Sequence, residues 1–180
     1  MLNNLVGLLD LGTPASTNSY ESISTITLGS SQATIDFTSI PSTYKHLQLR
    51  ILGKGTASAY LKMTFNGAST NLTSHYLDAN GSTVSSGFDA ATSFISIYGA
   101  IANTTANVFG VAVIDILDYQ NTNKYKTLRA LSGTDYNGSG GVDFTSGLWQ
   151  NTNAINQVTF TLNTGSFAQY SSFALYGIKG

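Results

Sequence analysis

The chain has no cysteine, a single glutamate (Glu21), two histidines (His46 and His75) and two prolines. Without thiols there is no disulfide framework, no thiolate metal site and no cysteine nucleophile. One glutamate and two imidazoles leave little material for acid–base catalysis. Charge is scarce as well: Asp, Glu, Lys and Arg make up 9% of the residues, against about 25% in ordinary domains. The formal net charge of −1 removes the electrostatic footprint of a nucleic-acid binder or of a protein held on anionic membranes. No apolar run approaches the roughly 18 residues of a spanning helix.

What fills the chain instead is small and polar. Ser, Thr and Asn number 22, 23 and 15, a third of the 180 residues, and Gly adds 18. Ten Tyr, nine Phe and one Trp argue against disorder, which is poor in aromatics. A chain of this length suffices for one domain that buries roughly 70% of its unfolded surface.

Residues 1–19 stand apart. Leu2, Leu5, Val6, Leu8, Leu9 and Leu11 are apolar, and Thr13 to Ser19 reads as an extended linker. No basic residue precedes the apolar stretch and Asp10 interrupts it, so no cleavable secretory signal is expected. The segment reads as an arm that docks on another surface, or as a terminal element packed on its own domain. Leu5, Val6, Leu8, Leu9 and Leu11 are therefore candidate partner-binding residues.

From Tyr20 onward the two-residue period of strands dominates. Ile35/Phe37, Leu47/Leu49/Ile51, Leu61/Met63/Phe65, Leu128/Ala130, Val158/Phe160/Leu162 and Phe173/Leu175 each alternate with polar or small residues. Phe109, Val111 and Val113 lie opposite Gly110, Ala112, Ile114 and Ile116, a pattern that predicts a strand covered on both faces. Asn80-Gly81 and Asn137-Gly138 suit tight turns. The spacing predicts an all-β chain of eight to ten strands: one antiparallel β-sandwich, jelly-roll-like, over residues 20–180, preceded by a short arm. The expected core contains Leu47, Leu49, Leu61, Met63, Phe65, Val111, Val113, Phe160, Leu162, Phe173 and Leu175.

No constellation reads as a reaction centre. Ser is abundant, but there is no nucleophile elbow, and both histidines read as surface or strand-edge residues. Asp115 and Asp118 are three apart, which places their carboxylates on opposite faces of a regular strand, unlike a glycosidase pair. Asp135 to Asp143 mimics the start of a calcium loop, yet position twelve is Ser146, so a hairpin is the expectation. Gly53-Lys54-Gly55 lacks the remainder of a phosphate-binding motif and reads as a turn. Trp149 fits a sugar-stacking platform, a subunit anchor or core packing. No enzyme activity, metal or cofactor is expected.

Two segments carry a resemblance. Ile40-Pro-Ser-Thr-Tyr-Lys-His-Leu-Gln-Leu-Arg50 and Ser171-Ser-Phe-Ala-Leu-Tyr-Gly-Ile-Lys-Gly180 are similar to a group of bacteriophage virion proteins whose β-sandwich domain ends in such a strand. A looser likeness extends over residues 20–180 from the start Tyr20-Glu-Ser-Ile-Ser-Thr-Ile. The resemblance implies a capsid decoration (cement) protein, or a tail or fibre component that recognises host glycan. It implies location on the phage particle after synthesis in the host cytoplasm, and partners such as the major capsid protein or tail proteins. With many symmetry axes beneath it, such a domain is expected to be a homo-oligomer, a trimer above other states.

Overall fold

The computed structural model describes residues 19–180. The arm expected over residues 1–19, with Leu5, Val6, Leu8, Leu9 and Leu11, lies outside the described residues but for Ser19. The described chain is all-β and, among these residues, contains no helix. Its strands are β1 (Tyr20–Thr27), β2 (Thr34–Phe37), β3 (His46–Lys54), β4 (Leu61–Phe65), β5 (Leu72–Ala79), β6 (Val84–Thr92), β7 (Ile95–Ile97), β8 (Ile101–Ala102), β9 (Gly110–Leu117), β10 (Lys126–Asp135), β11 (Gly140–Trp149), β12 (Val158–Leu162) and β13 (Ser172–Ile178). That is more than the eight to ten expected, because β5, β6 and β11 hide their pattern in a way described below.

The large sheet runs β1-β13-β3-β9-β10-β11-β5-β6, with the short β8 parallel to β3, and the small sheet runs β2-β12-β4-β7. Every other pairing is antiparallel. Early strands pair with late ones: β1 with β13, β2 with β12, β3 with β9 and β4 with β7. Two hairpins interrupt this nesting. β5-β6 is inserted between β4 and β7, and β10-β11 between β9 and β12; together they extend the large sheet beyond β9.

One core joins the buried faces of both sheets. Leu47, Leu49, Ile114, Ile116 and Phe173 of the large sheet cluster with Leu61, Met63, Phe65, Val158 and Phe160 of the small one. Phe173 is stacked on Phe160 and edge-on to Phe167. Each fully buried side chain of this kind contributes roughly 1.5–3 kcal/mol. Nine of the expected core residues are buried here, but Val111 and Val113 are 53% and 40% exposed. β9 is covered on its Ala112–Ile114–Ile116 side alone, because the small sheet lies on that side. β13 follows the same rule: Phe173 and Leu175 are buried, whereas Ala174, Tyr176 and Ile178 are half-buried.

Turn chemistry matches the sequence where the backbone demands it. Asn137 and Gly138 both have positive φ (60° and 110°) in the two-residue turn of the β10-β11 hairpin, the mirror-image geometry that suits strand twist. Gly53-Lys54-Gly55, expected as a turn, is extended: Gly53 and Lys54 end β3 and Gly55 continues into a bridge with Phe167. The glycines serve close packing. A Cβ at Gly53 would lie 2.5 Å from Ile101 Cδ1, and one at Gly110, its cross-strand partner, 2.8 Å from the Ala100 backbone. The 100–102 segment packs against both glycines at this point.

Candidate interaction face

The two inserted hairpins are inside-out. On their outer face the cross-strand rows read Val113–Leu131–Phe144–Leu77 and Val111–Gly133–Val142–Ala79–Val84, from β9 to β5 or β6. Leu131 is 61% exposed, Phe144 46%, Leu77 52% and Val142 59%. No charged side chain occupies these two rows between β9 and β6. A soluble monomer rarely leaves so continuous an apolar surface in water. The face continues at its loop end into an open groove of about 770 Å³, lined by Val111, Val142, Phe109, Gly81 and Gly138 among others.

The third outer row is polar at its centre and apolar at its edge: Gln48–Asp115–Arg129–Ser146–His75–Phe88. Gln48 Nε2 donates to Asp115 at 2.9 Å, and Arg50 Nε donates to Gln48 Oε1 at 3.0 Å. The Arg50 guanidinium lies 4.9 Å from the centre of the Tyr176 ring. Polar groups on the β13-β3-β9 part of the outer face thus satisfy one another, whereas the hairpin part presents hydrocarbon.

On the inner face the same hairpins carry polar residues. Ser132, Asp143, Asp78 and Ser85 form one row, and Ala130, Thr145, Tyr76 and Gly87 the next. Asp143 is buried opposite Asp78; burial and that second carboxylate push its pKa up to about 6. The neighbouring phenol of Tyr98 is pushed up to about 12, by burial first and then by Asp89. Such a carboxylate pair draws interest as acid and base. Here the backbone seals it: a Cβ at Gly99 would stand 2.2 Å from Asp143 Oδ2, and Ser132 Oγ donates to the Tyr98 carbonyl at 2.6 Å.

The residues singled out from the sequence fall elsewhere. Trp149 is 3% exposed and packs on Phe65 with ring centres 5.7 Å apart, so it belongs to the core. His75 is exposed and stacks on Phe88 at 5.6 Å. His46 accepts the Asp118 backbone N–H on Nδ1 at 2.9 Å. The two histidines sit on strands four steps apart in the sheet, roughly 19 Å. Asp115 faces outward from β9, and Asp118 lies past the end of the strand, with φ of 48°. Lys124 and Lys45 flank the Asp118 carboxylate and hold it down at about 2. Asp135 Oδ1 accepts the Asn137 N–H at 2.7 Å inside the hairpin turn, a closed local use of an oxygen that a calcium loop would offer to the ion. Among the described residues no group of three or more His, Cys, Asp or Glu is placed to hold a metal.

The sequence reading did not find the outer face. Its signal was present as alternation of the wrong sign: Val84, Phe88, Val142 and Phe144 alternate with Ser85, Gly87, Asp143 and Thr145, and the apolar set faces outward. No family model, no curated protein and no solved structure matches this chain.

Proposed function

We propose that the protein is a non-enzymatic structural component of a phage particle, a capsid decoration protein that binds the shell as an oligomer, with a trimer favoured. The observation that carries this reading is the uncharged apolar face of the two inserted hairpins. Interface cores are depleted in charge and rich in aromatic and aliphatic side chains, and a hydrocarbon contact of this kind is insensitive to salt. The nested pairing supports the fold reading beneath it. Leaving out β5, β6, β8, β10 and β11, the orders β1-β13-β3-β9 and β2-β12-β4-β7 agree with those expected of one long antiparallel hairpin rolled into a jelly-roll sandwich, an architecture used by viral capsid and lectin domains. The likeness of residues 40–50 and 171–180 to phage virion proteins directs the choice between those uses.

The alternative is a tail or fibre head that recognises host glycan. The half-buried cluster of Tyr60, Phe94, Tyr98 and Tyr76, with ring centres 4.7–6.3 Å apart, favours it, because aromatic faces stack on sugar rings. Imaging purified particles with a labelled copy separates the two. Label spread over the shell supports decoration, label confined to the tail supports the alternative, and absence from particles overturns both. A glycan array with the purified protein tests the alternative independently.

A further inference from the structure

The hairpin face is an exposed apolar surface of the described residues, and its size restricts what covers it. From β9 to β6 it spans four strand spacings, and its three rows span four residues along each strand, about 19 Å by 14 Å or on the order of 300 Å². Two copies meeting face to face would bury roughly 600 Å² in total, half of the about 1,200 Å² at which specific interfaces begin. A ten-residue segment, about 34 Å long when extended and on the order of 10 Å wide, offers an area that matches, and reciprocal exchange covers a face on each copy, roughly 1,200 Å² in total.

The sequence contains one such segment, residues 2–11. Its apolar side chains are Leu2, Leu5, Val6, Leu8, Leu9 and Leu11, and its one charge is Asp10. Arg129 stands exposed at the rim of the hairpin face with no ion pair among the described residues, and supplies the opposite charge. Ser19 precedes Tyr20, which is level with Ile178 and His46 on β1, the far edge of the same sheet. From there to Leu131 is four strands across and about four residues along, roughly 23 Å. From Leu11 to Tyr20 the chain takes nine residue steps, about 30 Å fully stretched. The linker therefore reaches the face, and the oligomeric reading above selects a neighbour's face over its own.

We infer that residues 2–11 of one copy pack on the hairpin face of a neighbouring copy, with Leu131 and Phe144 at the centre of the contact. The inference rests on the oligomeric reading above and names the contact that builds the oligomer. The native chain has no cysteine, so engineered thiols report the contact without background. Leu5→Cys or Leu8→Cys protein is mixed with Leu131→Cys or Phe144→Cys protein and oxidised. A disulfide between the two chains is expected, about tenfold more abundant than with Thr34→Cys on the small sheet, through the raised effective concentration at a docked site. A thiol-free measurement accompanies it: Leu131→Glu/Phe144→Glu and Leu8→Asp/Leu9→Asp should each reduce the oligomer to the same monomer mass while the β spectrum persists. Links formed only within a chain carrying both thiols, or an oligomer that survives both double variants, overturn the inference. Particle binding is scored separately. Cross-linked protein that ignores particles sinks the virion reading alone, and particle binding without cross-links sinks this contact alone.

Discussion

The ring of Tyr44 rests on the backbone of Gly177: a Cβ at position 177 would lie 2.2 Å from Tyr44 Cγ. The same tyrosine donates its hydroxyl to Glu21 Oε2 at 2.9 Å, and Lys179 Nζ meets Glu21 Oε1 at 2.5 Å. Residues from β1, the corner before β3, and the end of β13 therefore lock together at one end of the large sheet. Segments distant in sequence thus meet in one structural clasp. Gly177→Ala should cost about 1–3 kcal/mol by overpacking, read as a lower urea midpoint. Tyr44→Phe, which keeps the ring and loses the bond to Glu21, should cost less, about 0.5–1.5 kcal/mol. Wild-type stability in Gly177→Ala would refute the contact.

Stability should peak near pH 4. Asp143 has its pKa raised to about 6 in the folded state, above its value of 3.8 when unfolded, so folding favours its protonated form. That contribution is complete below pH 3.8 and is lost as pH rises through 6. Asp118 is held at about 2 by its lysines; its contribution is complete above pH 3.8 and is lost as pH falls through 2. Thermal midpoints across pH 2–8 measure both flanks. Asp143→Asn should stabilise the protein at pH 7 and leave it unchanged near pH 3, and equal effects at both values would rule out the assignment.

Lys126 is buried, and its Nζ donates to the carbonyls of Asn121, Lys124 and Thr152. It clamps two loops at the start of β10 with all three of its N–H groups satisfied. Lys126→Met keeps the stem and abandons three acceptors. A loss of about 2–4 kcal/mol is expected, visible in urea unfolding together with faster amide exchange over 119–125 and 150–154.

Outer-face changes should separate assembly from folding. Leu131 and Phe144 are exposed, so replacing either with Lys should shift stability by no more than about 0.5 kcal/mol. Incorporation into particles should fall at the same time. A variant that unfolds instead would mean that the hairpin face supports the domain itself.

Legibility in the sequence followed the burial of hydrocarbon. Strands whose apolar residues point to the core, such as Leu47/Leu49/Ile51 or Val158/Phe160/Leu162, were readable from alternation together with their buried sides. β5, β6 and β11 were not, because Ser74, Asp78, Asp89, Asp143 and Thr145 point inward there and Leu77, Phe88 and Phe144 point out. Alternation gives a period and no sign; only the position of the second sheet supplies the sign. The pairing of Asp143 with Asp78 across 65 positions, set by the register of β11 on β5, has no local trace at all. Trp149 failed as a surface residue for the opposite reason: its neighbours are polar in sequence, while β11 turns it toward Phe65.

The nested pairing also sets a timetable for synthesis. β13 lies between β1 and β3 in the sheet, yet it is the last of the described strands to leave the ribosome. Until it does, the partners of Tyr20–Thr27 do not exist, and β1 and β3 each wait with an open edge. Long-range pairings of this kind fold slowly and leave strands exposed to wrong neighbours. The nascent chain is therefore vulnerable until Ser172–Ile178 has emerged, and a copy that stalls before residue 172 is a strand acceptor in search of a donor.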